Sequence, residues 1–324
     1  METLEGGELC FPQLLNSSCR KLVRRHFEAT LLYILLSSVS LLTVALNLLV
    51  IISISHYRQL HTPTNLLLLS LAVSDFLLGL LMPAEILLMG GCWFLGDLMC
   101  VLYYAVVFAI TSTSVGNMLL ISVDRHVAIC DPLRYSARLT RTRVQICICL
   151  CWLCSVFYNC LLLKDQLRWP DRYNSCHGER VVIVDHIAGA VDLAVTFICP
   201  VTVIVVLYMR VFVVAVSQAR AMRVVLRRSE TVTAKKSERK AARTLGVVVA
   251  VFLICFFPYY TPSFTGQDTV TSASSAAFVI WLLHCNSCLN PVIYAFFYPW
   301  FRKTIKLIVT LQILQPDSCK ANIL

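Results

Sequence analysis

Charged residues are scarce in this sequence: they make up 14% of its 324 residues, whereas 58% are hydrophobic, and the mean hydropathy is +0.75. Soluble domains carry roughly a quarter charged residues, so the scarcity argues against a water-soluble fold and indicates lipid as the solvent. Glycine and proline number only eleven each, which excludes collagen-like and low-complexity chains. The sequence therefore predicts an integral membrane protein.

Several functional motifs are also lacking. No Cys/His spacing resembles a zinc module, and the basic residues behind the net charge of +10 lie in short segments between apolar runs, so nucleic acid is not an expected partner. No HExxH, GxSxG or paired acid/base spacing is present, so an enzyme is not expected. A transporter, the remote alternative, would usually show repeated halves. The first thirty residues lack the apolar core of a cleavable signal peptide, so the first span is expected to target the chain.

Seven apolar runs are long enough to cross a membrane, which takes about 20 helical residues for a ~30 Å hydrocarbon core. They lie near residues 31–55, 65–89, 100–130, 144–163, 185–217, 241–263 and 273–297. We predict an all-α fold, a seven-transmembrane helix bundle at 31–297, with an extracellular segment at 1–30 and a cytoplasmic segment at 298–324. Basic and apolar residues alternate after Tyr298, which predicts a short amphipathic helix on the membrane surface.

The distribution of Lys and Arg predicts the orientation. These residues are concentrated in 131–143 and 220–243, whereas acidic residues balance them in 164–186. Positive loops are cytoplasmic, so the N-terminus is expected outside and the C-terminus inside, in the plasma membrane. The sequon that begins at Asn16 is then on the glycosylated side.

Ionisable residues inside the spans are the first candidates for function, because each costs roughly 2.5–3.5 kcal/mol at mid-bilayer even on a lenient scale. They are Glu85, Asp75, Asp124, Arg125, Asp185, Asp192 and His284. Asp75 is expected to share a polar cavity with Ser114, Asn286 and Asn290. Oxygen ligands around a carboxylate suit sodium, and a water-filled network without an ion is the alternative.

One motif per helix resembles the rhodopsin-like G protein-coupled receptors, over about residues 30–310. These motifs are Asn47, the LAVSD run ending at Asp75, Asp124-Arg125-His126, Trp152, Pro200, Phe256-Phe257-Pro258 and Asn290-Pro291-Val292-Ile293-Tyr294. The resemblance implies a cytoplasmic switch in which Arg125, paired with Asp124 at rest, turns toward the G protein. Tyr294 would rotate inward, and Pro258 would be the hinge of the sixth helix. His126 and Phe256 depart from the Tyr and Trp that are commoner at these positions in this class.

The seventh helix narrows the resemblance. Residues 286–301 read NSCLNPVIYAFFYPWF, which is similar to the fingerprint of trace amine-associated receptors. Amine receptors usually bind the ligand ammonium with an Asp eighteen residues before the arginine of the DR motif, and here that position is Val107. A branch known chiefly from fish is similar in carrying an Asp eight residues before the proline of the fifth helix. That position is Asp192.

The residues themselves also support Asp192 as the counter-ion of an amine. It lies about two turns from Pro200 in an apolar stretch without Lys or Arg nearby in sequence. A ligand ammonium would supply the missing charge in a site partly shielded from water; a hydrogen-bonded structural Asp is the alternative. Candidates for the lining are Tyr104, Val107, Phe108, Thr111, Val115, Tyr259, Tyr260 and His284. Asp185 and Glu85 add carboxylates that would suit a diamine.

The resemblance also implies a disulfide that this sequence does not fully provide. Receptors of this family usually have Cys-x-Gly-x-Cys in the loop before the fifth helix, with the second Cys bonded to the third helix. Here Arg180 replaces that second Cys. We expect Cys100–Cys176, with Cys19 or Cys10 as alternative partners of Cys176.

The expected partners are a small-molecule amine, a heterotrimeric G protein of the stimulatory or olfactory kind that raises cyclic AMP, arrestin and membrane lipid. Two alternatives within the receptor class stay open: an aminergic neurotransmitter receptor, and a rhodopsin-like receptor with a non-amine ligand.

Overall fold

The structure is a computed structural model that describes residues 8–14, 17–21, 26–87, 92–170, 176, 186–225, 246–261, 273–315 and 318–323. Helices make up almost all of these ranges. The only extended pairing within them is an isolated bridge between Leu9 and Arg20. The prediction of an all-α fold is confirmed.

Eight helices organise the described chain. They are α1 (His26–His56), α2 (Pro63–Leu87), α3 (Asp97–Cys130), α4 (Arg141–Leu162), α5 (residues 186–225), α6 (described over Gly246–Thr261), α7 (Ala273–Phe297) and α8 (Pro299–Val309). Six of them are long and apolar enough to cross a membrane, and the described part of α6 is a shorter apolar helix. Large apolar side chains such as Leu41, Phe157 and Phe212 are exposed on their outer faces, as expected where lipid replaces water.

Two glycines allow close approach between neighbouring helices. A Cβ on Gly79 would lie 3.0 Å from a methyl group of Val44, and the Gly79 carbonyl accepts a hydrogen bond of 3.0 Å from Ser40. A Cβ on Gly116 of α3 would collide with the Cys151 sulfur of α4. Small residues at such crossings are typical of membrane bundles, in which packing replaces the hydrophobic effect between helices.

Helix α5 is interrupted by a π-helical turn. It runs as an α-helix over His186–Asp192, widens over Leu193–Ile198 and continues as an α-helix over Cys199–Val225. Pro200 has no N–H to donate to the carbonyl four residues earlier. The N–H of Cys199 donates instead to the carbonyl of Ala194, five residues back. The widened turn begins directly after Asp192, and the sequence analysis did not predict it.

Helix α8 follows α7 and packs against α1. It begins with Pro299 at its first position, after Tyr298 in extended conformation. Trp300, Phe301 and Thr304 are buried on one face, and the Thr304 hydroxyl accepts a hydrogen bond of 2.8 Å from Ser53 of α1. The prediction of a short amphipathic helix after α7 is confirmed.

Candidate ligand site and the Asp124–Arg125 pair

Asp192 is the last residue before the π turn of α5, and its side chain is half-buried. The Tyr158 hydroxyl of α4 donates a hydrogen bond of 3.1 Å to Asp192 Oδ1. The sequence analysis missed Tyr158. The available signal was a phenol hydroxyl inside the apolar α4, because buried Tyr hydroxyls usually have a partner.

No cation accompanies Asp192 in the described part of the chain. The ion pairs found there are Lys21–Glu8, Arg125–Asp124 and Arg138–Asp131. Asp192 is therefore a carboxylate in a partly desolvated place, and its described hydrogen-bond donors are neutral. Such a group attracts an external cation more strongly than an exposed or paired carboxylate does.

The π turn connects Asp192 with α6. Thr196 donates a hydrogen bond of 2.6 Å to the backbone carbonyl of Asp192, and its Oγ1 lies 2.9 Å from the Tyr260 hydroxyl. Phe197 stacks on the Tyr260 ring with centroids 4.5 Å apart, and Tyr259 meets the same ring edge-on at 5.0 Å. The structure thus brings two of the predicted aromatic residues to the turn that follows Asp192.

The predicted α3 lining forms a separate group in the described contacts. Val107 and Thr111 are half-buried, Thr111 donates to the Val107 carbonyl at 2.8 Å, and Val115 is buried in the core. The rings of Tyr104 and Phe108 lie 5.9 Å apart. Contact of these residues with a ligand stays a prediction.

Among the other predicted ligand residues, His284 has no described contact with Asp192. His284 is buried in α7, and its Nδ1 lies 2.7 Å from the carbonyl of Ile280 in the same helix. Asp185 and the side chain of Glu85 lie outside the described residues, as does the sequon asparagine, Asn16.

The expected Cys100–Cys176 disulfide is wrong. Cys176 pairs with Cys19, with Cα atoms 5.1 Å apart, and Cys10 pairs with Cys92 at 5.6 Å. Cys100 carries a buried thiol and packs beside Trp93. The loop lacks the second Cys that would reach α3, so its single Cys is bonded to the N-terminal segment instead.

The two disulfides are linked through a short backbone pairing. The N–H of Cys10 donates to the carbonyl of Cys19 at 2.8 Å, and the Lys21 N–H donates to the Glu8 carbonyl at 2.8 Å. The Lys21 ammonium also lies 2.9 Å from the Glu8 carboxylate and holds the pKa of Glu8 below its usual range. The N-terminal segment therefore forms a clasp, residues 8–14 and 17–21, between the loops that hold Cys92 and Cys176.

Asp75 is fully buried at the centre of the bundle. Its Oδ1 accepts from Ser287 at 2.8 Å and from Ser114 at 3.4 Å, and its Oδ2 accepts from Asn290 at 2.9 Å. Asn286 is also buried, but no described hydrogen bond joins it to Asp75. Ser287 belongs to the network and was not predicted.

The C-terminal end of α3 holds a hydrogen-bonded ion pair. Arg125 is paired with Asp124, with its Nε 2.8 Å from Asp124 Oδ2. The same carboxylate accepts 2.9 Å bonds from Thr64 of α2 and from Tyr135. Tyr135 begins the short helix Tyr135–Arg138, and burial raises the pKa of its phenol, which keeps the proton it donates. The sequence analysis named the ion pair but neither hydroxyl.

The other two predicted switch residues lie on α6 and α7. Tyr294 is buried and its ring meets Tyr298 at 5.9 Å. Pro258 lies inside the described part of α6, two residues after buried Phe256. Their movement during activation stays a prediction.

Comparisons with known proteins agree with this architecture. Residues 46–294 match the family described as 7 transmembrane receptor (rhodopsin family). Trace amine-associated receptor 13c of Danio rerio is 38% identical over 98% of this chain and 97% of its own length. Trace amine-associated receptor 4 of Mus musculus is 34% identical over 98% of this chain and 95% of its own length. Trace amine-associated receptor 1 of Macaca mulatta is 34% identical over 96% of both chains. The family consists of receptors rather than enzymes. This chain therefore belongs to the rhodopsin family of seven-transmembrane, G protein-coupled receptors, and within it to the trace amine-associated receptor type.

Proposed function

We propose that this receptor senses amines, with Asp192 as the counter-ion of the ligand ammonium. The observation that supports the proposal is a half-buried carboxylate, oriented by Tyr158, that has no cation among the described residues. At about 4 Å and an effective dielectric constant of about 20, one such pair is worth about 4 kcal/mol before desolvation is counted. The names of the relatives, trace amine-associated receptors, are consistent with this ligand class.

The test is the response of Asp192→Asn to primary alkylamines from propylamine to octylamine and to the corresponding diamines. Asn keeps the shape and removes the charge, so the half-maximal concentration should rise about 100-fold, which corresponds to about 2.7 kcal/mol. Cyclic AMP in transfected cells is the measurement, normalised to receptor at the cell surface. Asp165→Asn, an exposed carboxylate in the short helix Lys164–Arg168, is the matched control. Unchanged potency of Asp192→Asn would reject the proposal.

The same amine series addresses the diamine hypothesis and the rival ligand class. Diamines should be more potent than monoamines of equal length only if a second carboxylate, such as Asp185 or Glu85, binds the second ammonium. Alcohols of equal length should be inactive, because they cannot pair with Asp192. A response to alcohols but not to amines would favour the non-amine alternative.

We also propose coupling to a stimulatory G protein that raises cyclic AMP, followed by arrestin binding. The support is the paired Arg125 at the inner end of α3 and the family itself. A fall in cyclic AMP on stimulation would contradict the stimulatory coupling.

We propose the plasma membrane as the location, with the N-terminus outside. The disulfides connect the N-terminal segment with the loops before α3 and α5, so these three segments share one side, and disulfides form in oxidising compartments. The basic segments and α8 are then cytoplasmic, where α8 lies against lipid. Antibody staining of an N-terminal epitope on intact cells should be positive.

Sodium near Asp75 is a further proposal. The buried Oδ1 of Asn290 has no hydrogen-bond partner in the described structure, while its Nδ2 donates to Asp75. Asp75, Ser114 and Asn290 offer oxygen atoms that suit a hard cation, with Asn286 nearby on α7. The ion would supply the positive charge that a fully buried carboxylate needs. Replacing sodium by choline should change amine potency in the parent receptor, and this dependence should be absent in Asp75→Asn. Equal sodium dependence in both would contradict the site.

A further inference from the structure

Two hydroxyl groups join α5 to α6 one turn after Asp192. The Thr196 hydroxyl donates to the Asp192 carbonyl at 2.6 Å and lies 2.9 Å from the Tyr260 hydroxyl. A threonine hydroxyl has one proton and two acceptor lone pairs. Because that proton is used on the Asp192 carbonyl, Tyr260 is the donor to Thr196. The bond therefore runs from α6 to α5 with a defined direction.

The π turn places two groups against the same tyrosine. Thr196 binds the hydroxyl of Tyr260, and Phe197 stacks on its ring at 4.5 Å with an interplanar angle of 26°. Both residues belong to the widened segment Leu193–Ile198, and π turns occur frequently at functional sites. A shift of the Asp192 backbone would therefore move the Thr196 hydroxyl and alter its hydrogen bond with Tyr260.

Tyr260 is well placed to move α6. It lies two residues after Pro258, where the helix lacks a backbone hydrogen bond and bends most easily. On the other side of Pro258, Phe256 packs on Phe252 with ring centroids 4.4 Å apart. The Phe256 side chain has no polar atom, whereas the Tyr260 hydroxyl makes a polar contact with Thr196 of α5.

We propose that the Thr196–Tyr260 hydrogen bond couples occupancy of Asp192 to the movement of α6, an inference that rests on the proposed function of Asp192. An ammonium drawn to the carboxylate displaces the Asp192 backbone, the Thr196 hydroxyl follows its carbonyl, and the bond to Tyr260 changes. A ligand shifts a two-state equilibrium only through contacts that differ between the states, and this bond is such a contact. Thr196 is a positioning residue that acts through Tyr260.

The experiment is a double-mutant cycle with Thr196→Val, Tyr260→Phe and both together, probed with the primary alkylamine series. Each change removes a hydroxyl and keeps the volume. The maximal cyclic AMP response at equal surface level should fall about fivefold in each single variant, the size expected for one hydrogen bond, and no further in the double variant. The half-maximal concentration should change less than the maximum. Thr196→Ser should restore the response.

Matched controls come from the same helix and the same residue types. Thr202 of α5 is exposed and also donates to the carbonyl four residues earlier, Ile198, at 2.7 Å, so Thr202→Val tests the loss of a threonine hydroxyl alone. Tyr33 on the outer face of α1 is 39% exposed, so Tyr33→Phe tests the loss of a phenol hydroxyl. Both controls should respond as the parent does.

The outcomes separate this inference from the function on which it rests. Additive losses in the double variant, or a loss of potency with an intact maximum, overturn the coupling. Equal surface levels with equal responses of Thr196→Val and Thr196→Ser overturn it as well. If Asp192→Asn is silent while Thr196→Val signals normally, only the coupling fails. A fully responsive Asp192→Asn removes the proposed function itself.

Discussion

At the scale of single residues, the Asp192 carboxylate depends on a hydroxyl from another helix. The Tyr158 hydroxyl donates to Oδ1 at 3.1 Å, and the proposed ligand ammonium would bind the same carboxylate. A donor of this kind both orients a carboxylate and stabilises its charged form. The geometry of the site is therefore set by α4 as much as by α5.

Tyr158→Phe removes this donor without changing the ring. We expect the potency of alkylamines to fall about tenfold, because a hydrogen bond to a charged group is worth about 1.5–3 kcal/mol, while the maximal cyclic AMP response stays unchanged. Phe157→Leu, a change at the neighbouring exposed position, is the control and should have no effect. Higher potency in Tyr158→Phe would mean that the hydroxyl competes with the ligand for Asp192 rather than orienting the carboxylate.

The residues that could be identified from the sequence lie at a fixed number of positions from a recognisable motif residue of the same helix. Asp192 lies eight positions before Pro200, and Arg125 adjoins Asp124, so counting along the chain suffices. Tyr158 and Thr64 could not be found in this way. Their roles depend on how α4 and α2 are rotated against their neighbours, and helix rotation in a membrane is set by packing that an apolar sequence barely encodes.

At the scale of elements, hydropathy predicted the helices and missed their irregularity. The seventh span, expected at 273–297, coincides with α7, Ala273–Phe297, because polar residues interrupt the apolar run at its ends. The π turn of α5 has no such signal. Its cause is the missing N–H of Pro200, which is compatible with a kink, a bulge or a widened turn, so only the structure distinguishes them.

The clasp leads to a prediction about the Cys19–Cys176 disulfide. The disulfides Cys10–Cys92 and Cys19–Cys176 are joined by the short backbone pairing between Cys10 and Cys19. Cys19→Ala or Cys176→Ala should therefore strongly lower the amount of receptor at the cell surface. A disulfide that closes a long loop typically contributes about 2–4 kcal/mol. The measurement is antibody staining of intact cells together with thermal inactivation of ligand response.

Cys100→Ala is the informative comparison, since Cys100 carries a thiol in this structure. It should keep most of the surface receptor, in contrast to what the family pattern would suggest. The double variant Cys19→Ala with Cys176→Ala should be no worse than either single variant. A loss for Cys100→Ala that equals the loss for Cys176→Ala would show that these two cysteines are bonded after all.

At the scale of the whole molecule, two polar centres lie at opposite ends of one apolar bundle. Asp192 receives the proposed ligand near one end. At the other end Arg125 is paired with Asp124, whose carboxylate also accepts hydrogen bonds from Thr64 and Tyr135. Packed helices have discrete arrangements rather than a continuous range, so small shifts at one end favour one of two states. The hydrogen bonds to the Asp124 carboxylate then determine how strongly the resting state is preferred over the active state.

Removing hydrogen bonds to the Asp124 carboxylate should therefore activate the receptor without ligand. Thr64→Val and Tyr135→Phe each remove one hydroxyl that donates to Asp124 at 2.9 Å. Loss of a bond to a charged group shifts the balance toward the active state, so we expect cyclic AMP without amine to rise about threefold to tenfold. Arg138→Gln, which breaks the exposed pair with Asp131, is the control and should leave it unchanged, because exposed ion pairs contribute little. Basal signalling at the parent level in both variants, at equal surface receptor, would place the resting constraint elsewhere than on these two hydroxyls.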